Sequence, residues 1–449
     1  MINRSMKMKK LPHKFMKKSI NVLFASTFVI GSLTGCGVSQ NAATSGEPAK
    51  DNFSLYGNGK DSSDVSKDED GSDGASGERF DENSNDVVNK TAEIEKLIDN
   101  YFYFDQDNDK REESYYDGIM RGLDDPYSVY YTKEEYEKMQ EDDSGSFEGI
   151  GATVSKNIDK GTIYIVKPIE GSPAEKAGLL PNDVVVAVDD LEVTTDMELD
   201  YVVDHIRGEK GSEVTLKIYR EGEKDFLFIK IKRDTIENKT VEYEMLDNNI
   251  GYIKVEQFIE NTPGLYKEAV DKLQSQGAKG LVVDMRDNPG GLVTAVMEMV
   301  DYMVDDEMTA DGASEKGLLL ETKNKDDKVM DKINCSDGHK VDLPVTVLVN
   351  GNSASAAEIF TGCLRDYKLA TVVGTNTYGK GIVQSVIKLS DGSAVKITIA
   401  KYFLPSGDDI HKKGVAPDVE VELDEALRKK VTIEHNEDNQ LQEALKTFK

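Results

Sequence analysis

The stretch Val345-Thr346-Val347-Leu348-Val349, followed by Asn350-Gly351-Asn352-Ser353-Ala354-Ser355-Ala356-Ala357-Glu358, decides how this chain is read. It describes an apolar strand, a turn of small residues, and a helix running from Ser355 to about Tyr367. A serine at a strand-to-helix junction has its hydroxyl at the edge of the sheet. The N–H groups beside it are the unpaired first donors of the helix. The amide of Ala356 is therefore placed to donate to an oxyanion formed on attack by Ser355, and the small alanines leave room for a substrate backbone. The same pattern also suits a helix start in which Ser353 or Ser355 serves only as N-cap, and the segment alone does not choose between these readings.

Outward from this junction, strands and helices alternate. Ile250 to Val255 reads as a strand, Thr262 to Gln274 as a helix, and Leu281 to Met285 as a strand running into Arg286-Asp287-Asn288-Pro289-Gly290-Gly291. Leu292 to Val304 reads as a helix and Leu369 to Val373 as a strand. Ile382 to Ile387 and Ala394 to Ala400 form a β-hairpin pattern with Asp391-Gly392 at its turn. This alternation predicts an α/β layer domain. The turn at Pro289-Gly290-Gly291 exposes N–H groups that can act as a second oxyanion donor.

Lys380 lies in Tyr378-Gly379-Lys380-Gly381, between one strand and the next. Glycines on both sides let the backbone approach another segment closely. A lysine acting as base must be neutral. From a reference pKa of ~10.4 that takes a shift of ~3 units, roughly 4 kcal/mol of disfavoured charge, which only a largely buried site provides. Gln384 lies four residues on, on the same side of an extended chain, where its amide can orient the lysine amine. The run Gly374 to Lys380 also matches a phosphate-binding loop, but Gly381 stands where Ser or Thr is needed and a strand pattern follows instead of a helix. Nucleotide binding is set aside on that ground. The chain's five histidines, His13, His205, His339, His411 and His435, occupy no recognisable catalytic turn. No Cys/His spacing suggests zinc or another metal.

From Gly145 to about Arg233 the texture changes to short strand patterns broken by glycine: Ile163–Val166, Val184–Val188, Val214–Tyr219 and Phe226–Ile231. Between them lie two short helices, one at Pro173 capped by Ser172 and stopped by Gly178, the other at about Met197 to Ile206. Val87 to about Asp142 has helical spacing, with Ile94, Leu97, Ile98 and Tyr101 on one stripe and Ile119, Met120 and Leu123 on another. Packing or dimer contact, without a catalytic contribution, is expected of this region. The C-terminal stretch from about Thr432 to Lys446 reads as a further helix.

Residues 1–36 read as a targeting segment: six lysines, an apolar run from Val22 to Leu33, then Leu33-Thr34-Gly35-Cys36. The apolar run is shorter than the ~20 residues a spanning helix needs. The order matches a bacterial lipoprotein signal with Cys36 as the lipidated residue, which places the rest of the chain on the outer face of the cell membrane. Gly37 to Asn85 is acidic and rich in Ser and Gly, a solvated tether that lacks the apolar surface to fold. The net charge of −29 over 449 residues argues against a general affinity for nucleic acid. Cys335 and Cys363 are free to pair or to remain thiols; the sequence does not say which.

Three separated segments, Arg286–Gly291, Ser353–Glu358 and Tyr378–Gln384, together resemble the carboxyl-terminal processing (tail-specific) proteases of peptidase family S41. The resemblance covers about Val87 to Leu423, and Gly414-Val415-Ala416-Pro417-Asp418 is similar to that family's late core segment. It implies Ser355 as nucleophile in preference to Ser353, Lys380 as base and Gln384 as its positioning partner. It also implies oxyanion donors from Ala356 and from Gly290 or Gly291. Ala357 departs from the second serine that many members carry there. The middle region resembles the family's PDZ domain, with Gly149-Ile150-Gly151-Ala152 as the loop receiving a peptide's C-terminal carboxylate. Arg207 stands as a possible contact between PDZ and core.

The expected fold is therefore multidomain α/β: signal 1–36, linker 37–86, helical region 87–144, β-sandwich-like PDZ module 145–233, crotonase-like α/β protease core 234–424, and helical tail 425–449. The expected activity is Ser–Lys endopeptidase cleavage of exported proteins with free C-termini. It requires no cofactor and is compatible with a homodimer. A PDZ scaffold lacking activity and a crotonase-like acyl-CoA enzyme are the alternatives. The export signal and PDZ speak against the latter.

Overall fold

The computed structural model describes residues 81, 83–158, 160–430 and 432–448. The targeting segment with Cys36, and the acidic linker through residue 80, lie outside the described residues. No described helix is long and apolar enough to cross a membrane.

The core is a six-stranded sheet. Val241–Leu246 pairs antiparallel with Ile250–Val255. Gly280–Asp284, Val345–Val349, Ala370–Gly374 and Val419–Glu420 then follow in parallel register. All five residues of Val345–Val349 are buried, as in a sheet covered on both faces. Ile253, Val283 and Val347 face the helices Thr262–Ser275, Val293–Met303 and Ala356–Asp366. Tyr252, Val282, Leu348 and Val373 face Leu441 and Ala444. Each such side chain contributes about 1.5–3 kcal/mol by burial.

The C-terminal helix is shorter than its sequence pattern: Asn439–Ala444, capped by Asp438, followed by a 3-10 turn at Leu445–Phe448. The cap carboxylate accepts from the amides of Gln440 and Leu441, which sets the helix start there and leaves Thr432 to Glu437 outside it.

A second, antiparallel sheet carries the hairpin Ile382–Lys388 and Ala394–Phe403. The hairpin Leu318–Lys323 with Val329–Asn334 joins it, and so does Val129–Tyr131 from the N-terminal region. Neither addition was read from the sequence. The middle module is a sheet ordered Ala152–Lys156, Ile163–Pro168, Val184–Val188, Glu213–Tyr219, Leu227–Lys232, with Leu191–Glu192 on the third strand. Its helices are Pro173–Lys176 and Leu199–Ile206, the latter two residues shorter at its start than expected. A two-stranded ribbon, Ser146–Gly149 with Asp234–Glu237, leads the chain into and out of the module. Asn261 of the core donates to the carbonyls of Gly145 and Asn238 at the base of that ribbon.

The first helix, Asn85–Tyr101, buries none of its residues. Its apolar stripe is real in period, but Ile94, Leu97 and Tyr101 are 50%, 52% and 79% exposed. Of the second stripe only Met120, in Asn108–Arg121, is buried. Cys335 and Cys363 are free thiols; burial raises both well above the ordinary thiol range.

Candidate active site

The turn after Val345–Val349 folds so that its two serines have different fates. Ser353 is fully buried; its hydroxyl donates to Met285 O (2.7 Å) and accepts from Asn350 N–H (2.9 Å). That hydroxyl is spent on holding the turn against the neighbouring strand end. Ser355 is only half-buried and sits at φ 55°, ψ −116° at the head of Ala356–Asp366. A non-glycine residue in that region carries roughly 1–3 kcal/mol of backbone strain, a cost the surrounding structure must impose.

What imposes it is Glu358, fully buried one turn into the helix. Its Oε2 accepts from Ser355 N–H and from Lys380 N–H, both at 2.8 Å. The two amide nitrogens therefore lie no more than twice that distance apart. Its Oε1 accepts from Thr377 Oγ1 (2.5 Å) and Gly379 N–H (2.7 Å). The buried Tyr402 hydroxyl adds a second bridge, donating to Lys380 O (2.5 Å) with Ser355 O at 3.3 Å. Glu358 is not among the site residues expected from the sequence. Its role as anchor was signalled by an acid at the third position of an apolar helix start.

Gly379 and Gly381 are needed where they stand. Gly379 has φ 90°, and a Cβ there would lie 2.9 Å from Lys413 N; at Gly381 a Cβ would lie 2.6 Å from His411 N. Lys380 Nζ has no hydrogen bond or ion pair among the described residues and lies 4.5 Å from the centre of the Tyr127 ring. Burial pushes its pKa below the ordinary lysine value, and Lys396 adds to the shift, while Asp125 and Glu358 pull it back up. Tyr127 hydrogen-bonds the hydroxyl of Tyr378 (3.3 Å). Burial first, then this partner, pushes its phenol up to about 12.

The N-terminal region, expected to be without a part in the site, thus lays an aromatic ring against Lys380. Gln384 is on the strand that follows Lys380. Its Nε2 donates to Thr398 Oγ1 (3.3 Å) and not to Lys380.

The glycine turn closes the site from the other side. A Cβ on Gly290 would lie 2.8 Å from Ser355 Cβ and 3.0 Å from Ala356 N, so the absence of a side chain lets the two turns touch. Asn288, fully buried, donates to Val255 O and accepts from Gly290 N–H (2.8 Å). The amide of Gly290 is thereby occupied. The N–H groups of Gly291 and Ala356 have no acceptor among the described residues. Unpaired donors at the head of the helix and in the glycine turn that touches Ser355 can, in chemical terms, stabilise an oxyanion formed on attack by the half-buried hydroxyl; Lys380 Nζ makes no hydrogen bond to that hydroxyl, and Glu358 links the two residues through their backbones. None of His205, His339, His411 and His435 bonds to Ser355.

In the middle module, Ile150 O accepts from Ala174 N–H, and Gly151 O accepts from Ile169 N–H and Ser172 Oγ. With these carbonyls held inward, the amides of Ile150 and Gly151 have no acceptor among the described residues. Ala152–Lys156 beside them is an edge strand. Arg207 approaches Glu141 of the N-terminal region at 4.0 Å, with its side chain 11% exposed, so it is neither a surface arginine nor a contact with the core but packs on the helix Lys133–Ser144.

An α/β core with this junction, joined to a PDZ-type sheet, defines the class of the protein. The peptidase family S41 model matches residues 249–421 and the PDZ domain model residues 164–220, and the chain belongs to peptidase family S41. A protein of Staphylococcus epidermidis named Probable CtpA-like serine protease is 41% identical over 335 residues, 74% of this chain and 65% of its own length. Its Staphylococcus aureus namesake is 39% identical over 336 residues, 75% of this chain and again 65% of its length. The chain thus spans 65% of the length of these curated relatives. The solved structure of a photosystem II D1 C-terminal processing protease is 30% identical, with 68% of this chain and 80% of that chain covered and a TM-score of 0.40.

Proposed function

We propose that this chain is a serine endopeptidase in which neutral Lys380 takes the proton of Ser355 as its Oγ attacks a peptide carbonyl. The Oγ–C bond forms as the carbonyl oxygen gains charge beside the amides of Ala356 and Gly291. The C–N bond then breaks, the departing amine takes the proton held by Lys380, and Lys380 next activates water to release the acyl group. The observation that carries this reading is the shared Glu358 carboxylate, which ties the Ser355 and Lys380 backbones together while leaving the Lys380 amine unpaired. Substrates are exported proteins whose C-termini dock at the amides of Ile150 and Gly151 and extend beside Ala152–Lys156 as an added strand.

Cys36 carries the lipid that holds the chain on the outer face of the membrane. The exposed stripe of Asn85–Tyr101, with Phe102, Tyr103 and Phe104, presents apolar area on the order of 1,000 Å², enough for the ~800 Å² that each partner of a stable dimer buries.

Cleavage of casein and of a peptide with a free C-terminus tests the reading. The parent chain cleaves both, and Ser355→Ala and Lys380→Ala each lose activity by at least ~10³-fold. Peptide binding without cleavage by the parent chain sinks the enzymatic reading and leaves a peptide-binding module. Loss of membrane association in Cys36→Ser, and light scattering of the full chain, test the anchor and the dimer.

A further inference from the structure

The strand Val129–Tyr131 pairs with Lys396, Val395 and Ala394. Backbone pairing therefore delivers the preceding turn, Asp125–Ser128, to the strand that carries Lys396 and Thr398. Asp125 Oδ2 accepts from Ser128 Oγ and from Thr398 Oγ1, both at 2.6 Å, and Ser128 Oγ accepts from Thr398 N–H (3.0 Å). Burial works against the charge of Asp125, but these hydroxyls, the Tyr127 N–H and Lys380 hold its carboxyl below the usual value.

A carboxylate only accepts, so the single hydroxyl proton of Thr398 goes to Asp125. The Thr398 oxygen is then an acceptor, and the Gln384 atom 3.3 Å from it must be the amide nitrogen. The amide orientation of Gln384 is thus dictated from Asp125, with its carbonyl oxygen turned to the opposite end. On the other side of the turn the Tyr127 ring lies over Lys380 Nζ.

We propose that the Asp125–Ser128 turn is a positioning element of the active site, in which Asp125 sets the amide of Gln384 through Thr398 and Tyr127 covers the amine of Lys380. This rests on the reading of Lys380 as the base for Ser355. The charged and titratable groups facing Lys380 are Asp125 from the turn, Glu358 from the helix and Lys396 from the neighbouring strand, with the phenols of Tyr127 and Tyr378; His411 faces Asp125. Each part of the turn therefore has its own signature. Loss of the Asp125 charge leaves Lys396 less opposed, so Lys380 gives up its proton more readily. Loss of the Tyr127 ring lets water reach the ammonium and stabilise it. Loss of the Thr398 hydroxyl changes no charge and frees the Gln384 amide.

The test uses the full chain and two readouts: the pH profile of kcat/KM on a tailed peptide, and the pH dependence of acetylation of Lys380 by acetic anhydride, followed by mass spectrometry. Asp125→Asn moves the acid limb and the labelling midpoint down by about half a pH unit. Tyr127→Ala moves both up. Thr398→Val lowers kcat about tenfold and moves neither. Unmoved midpoints in Asp125→Asn and Tyr127→Ala, with parent kcat in Thr398→Val, overturn the proposal. Labelling reads the amine without cleavage, so it judges the turn even where the parent chain proves inactive. Failure of the proteolytic reading shows separately, as cleavage that survives Ser355→Ala.

Discussion

Glu358→Gln is the substitution that bears hardest on this site. The carboxylate is fully buried and accepts four hydrogen bonds, two at each oxygen. A glutamine amide has one oxygen, so in either orientation its NH₂ end faces two donors. Toward Ser355 and Lys380 those donors are main-chain N–H groups, which cannot turn away. Toward Thr377 and Gly379 the hydroxyl can rotate, but Thr377 Oγ1 already accepts from Val415 N–H (2.7 Å) and the Gly379 amide is left unpaired. The second orientation is the cheaper one. At about 1.5–3 kcal/mol per bond to a charged acceptor, two lost bonds cost roughly 3–6 kcal/mol, offset in part by no longer burying a charge. A net loss of about 3 kcal/mol lowers Tm by roughly 6–12 °C in a domain of this size. In that orientation the Gly379 amide, next to Lys380 in the chain, loses its acceptor, and a displacement of ~1 Å passed on to Lys380 costs about 10²-fold in kcat. Calorimetry and cleavage of the tailed peptide measure the two effects on one preparation. A variant that melts with the parent and cleaves at the parent's rate refutes the role assigned to Glu358.

Gly290→Ala puts a Cβ 2.8 Å from Ala354 O and Ser355 Cβ at φ 102°, so the glycine turn must back away from Ser355. Cleavage falls at least about 10²-fold while the chain stays folded by circular dichroism. Arg286→Met strips Asp284 and Asp438 of a shared cation that binds them at 2.5 and 2.8 Å, leaving two buried carboxylates unpaired. Urea unfolding then shows a loss of about 3–5 kcal/mol.

The strand-to-helix junction at Ser355, the Gly-Lys-Gly turn and the hairpin after it were legible because each is a local pattern: an apolar run, small residues, alternation. The choice between Ser353 and Ser355 was not legible from the residues, since both stand before the same helix; it turns on Met285 O, a partner 68 positions away. Asp124-Asp125-Pro126 reads locally as a helix stop, and that reading is correct as far as it goes. That Asp125 also reaches Thr398 depends on strand pairing across 273 positions, for which Val129–Tyr131 offers only three residues of signal. The hairpin Leu318–Lys323 and Val329–Asn334 was missed because its second strand is one-third charged and largely exposed. The first helix shows the opposite limit, since its apolar period was readable while the surface meant to cover it was not.

A lysine held near two carboxylates should form an ion pair and stay charged, yet Lys380 Nζ bonds to neither Asp125 nor Glu358. The reason lies in how those acids are occupied. Glu358 spends its lone pairs on three main-chain amides and a threonine hydroxyl. Asp125 spends its own on Ser128, Thr398 and the Tyr127 amide. Each carboxylate is stabilised by donors other than the amine, Glu358 fully buried and Asp125 partly so. Glu358 has no lone pair left to tie the ammonium down by a short hydrogen bond, and the one still open on Asp125, at Oδ1, makes no bond to Lys380 Nζ. What reaches Lys380 from them is only the longer-range Coulomb pull, which burial and Lys396 outweigh. Saturating the neighbouring acids with neutral donors is therefore as necessary to a neutral lysine as burying it; in Thr398→Val the Ser128 hydroxyl still occupies Asp125 Oδ2 and the Tyr127 amide Oδ1.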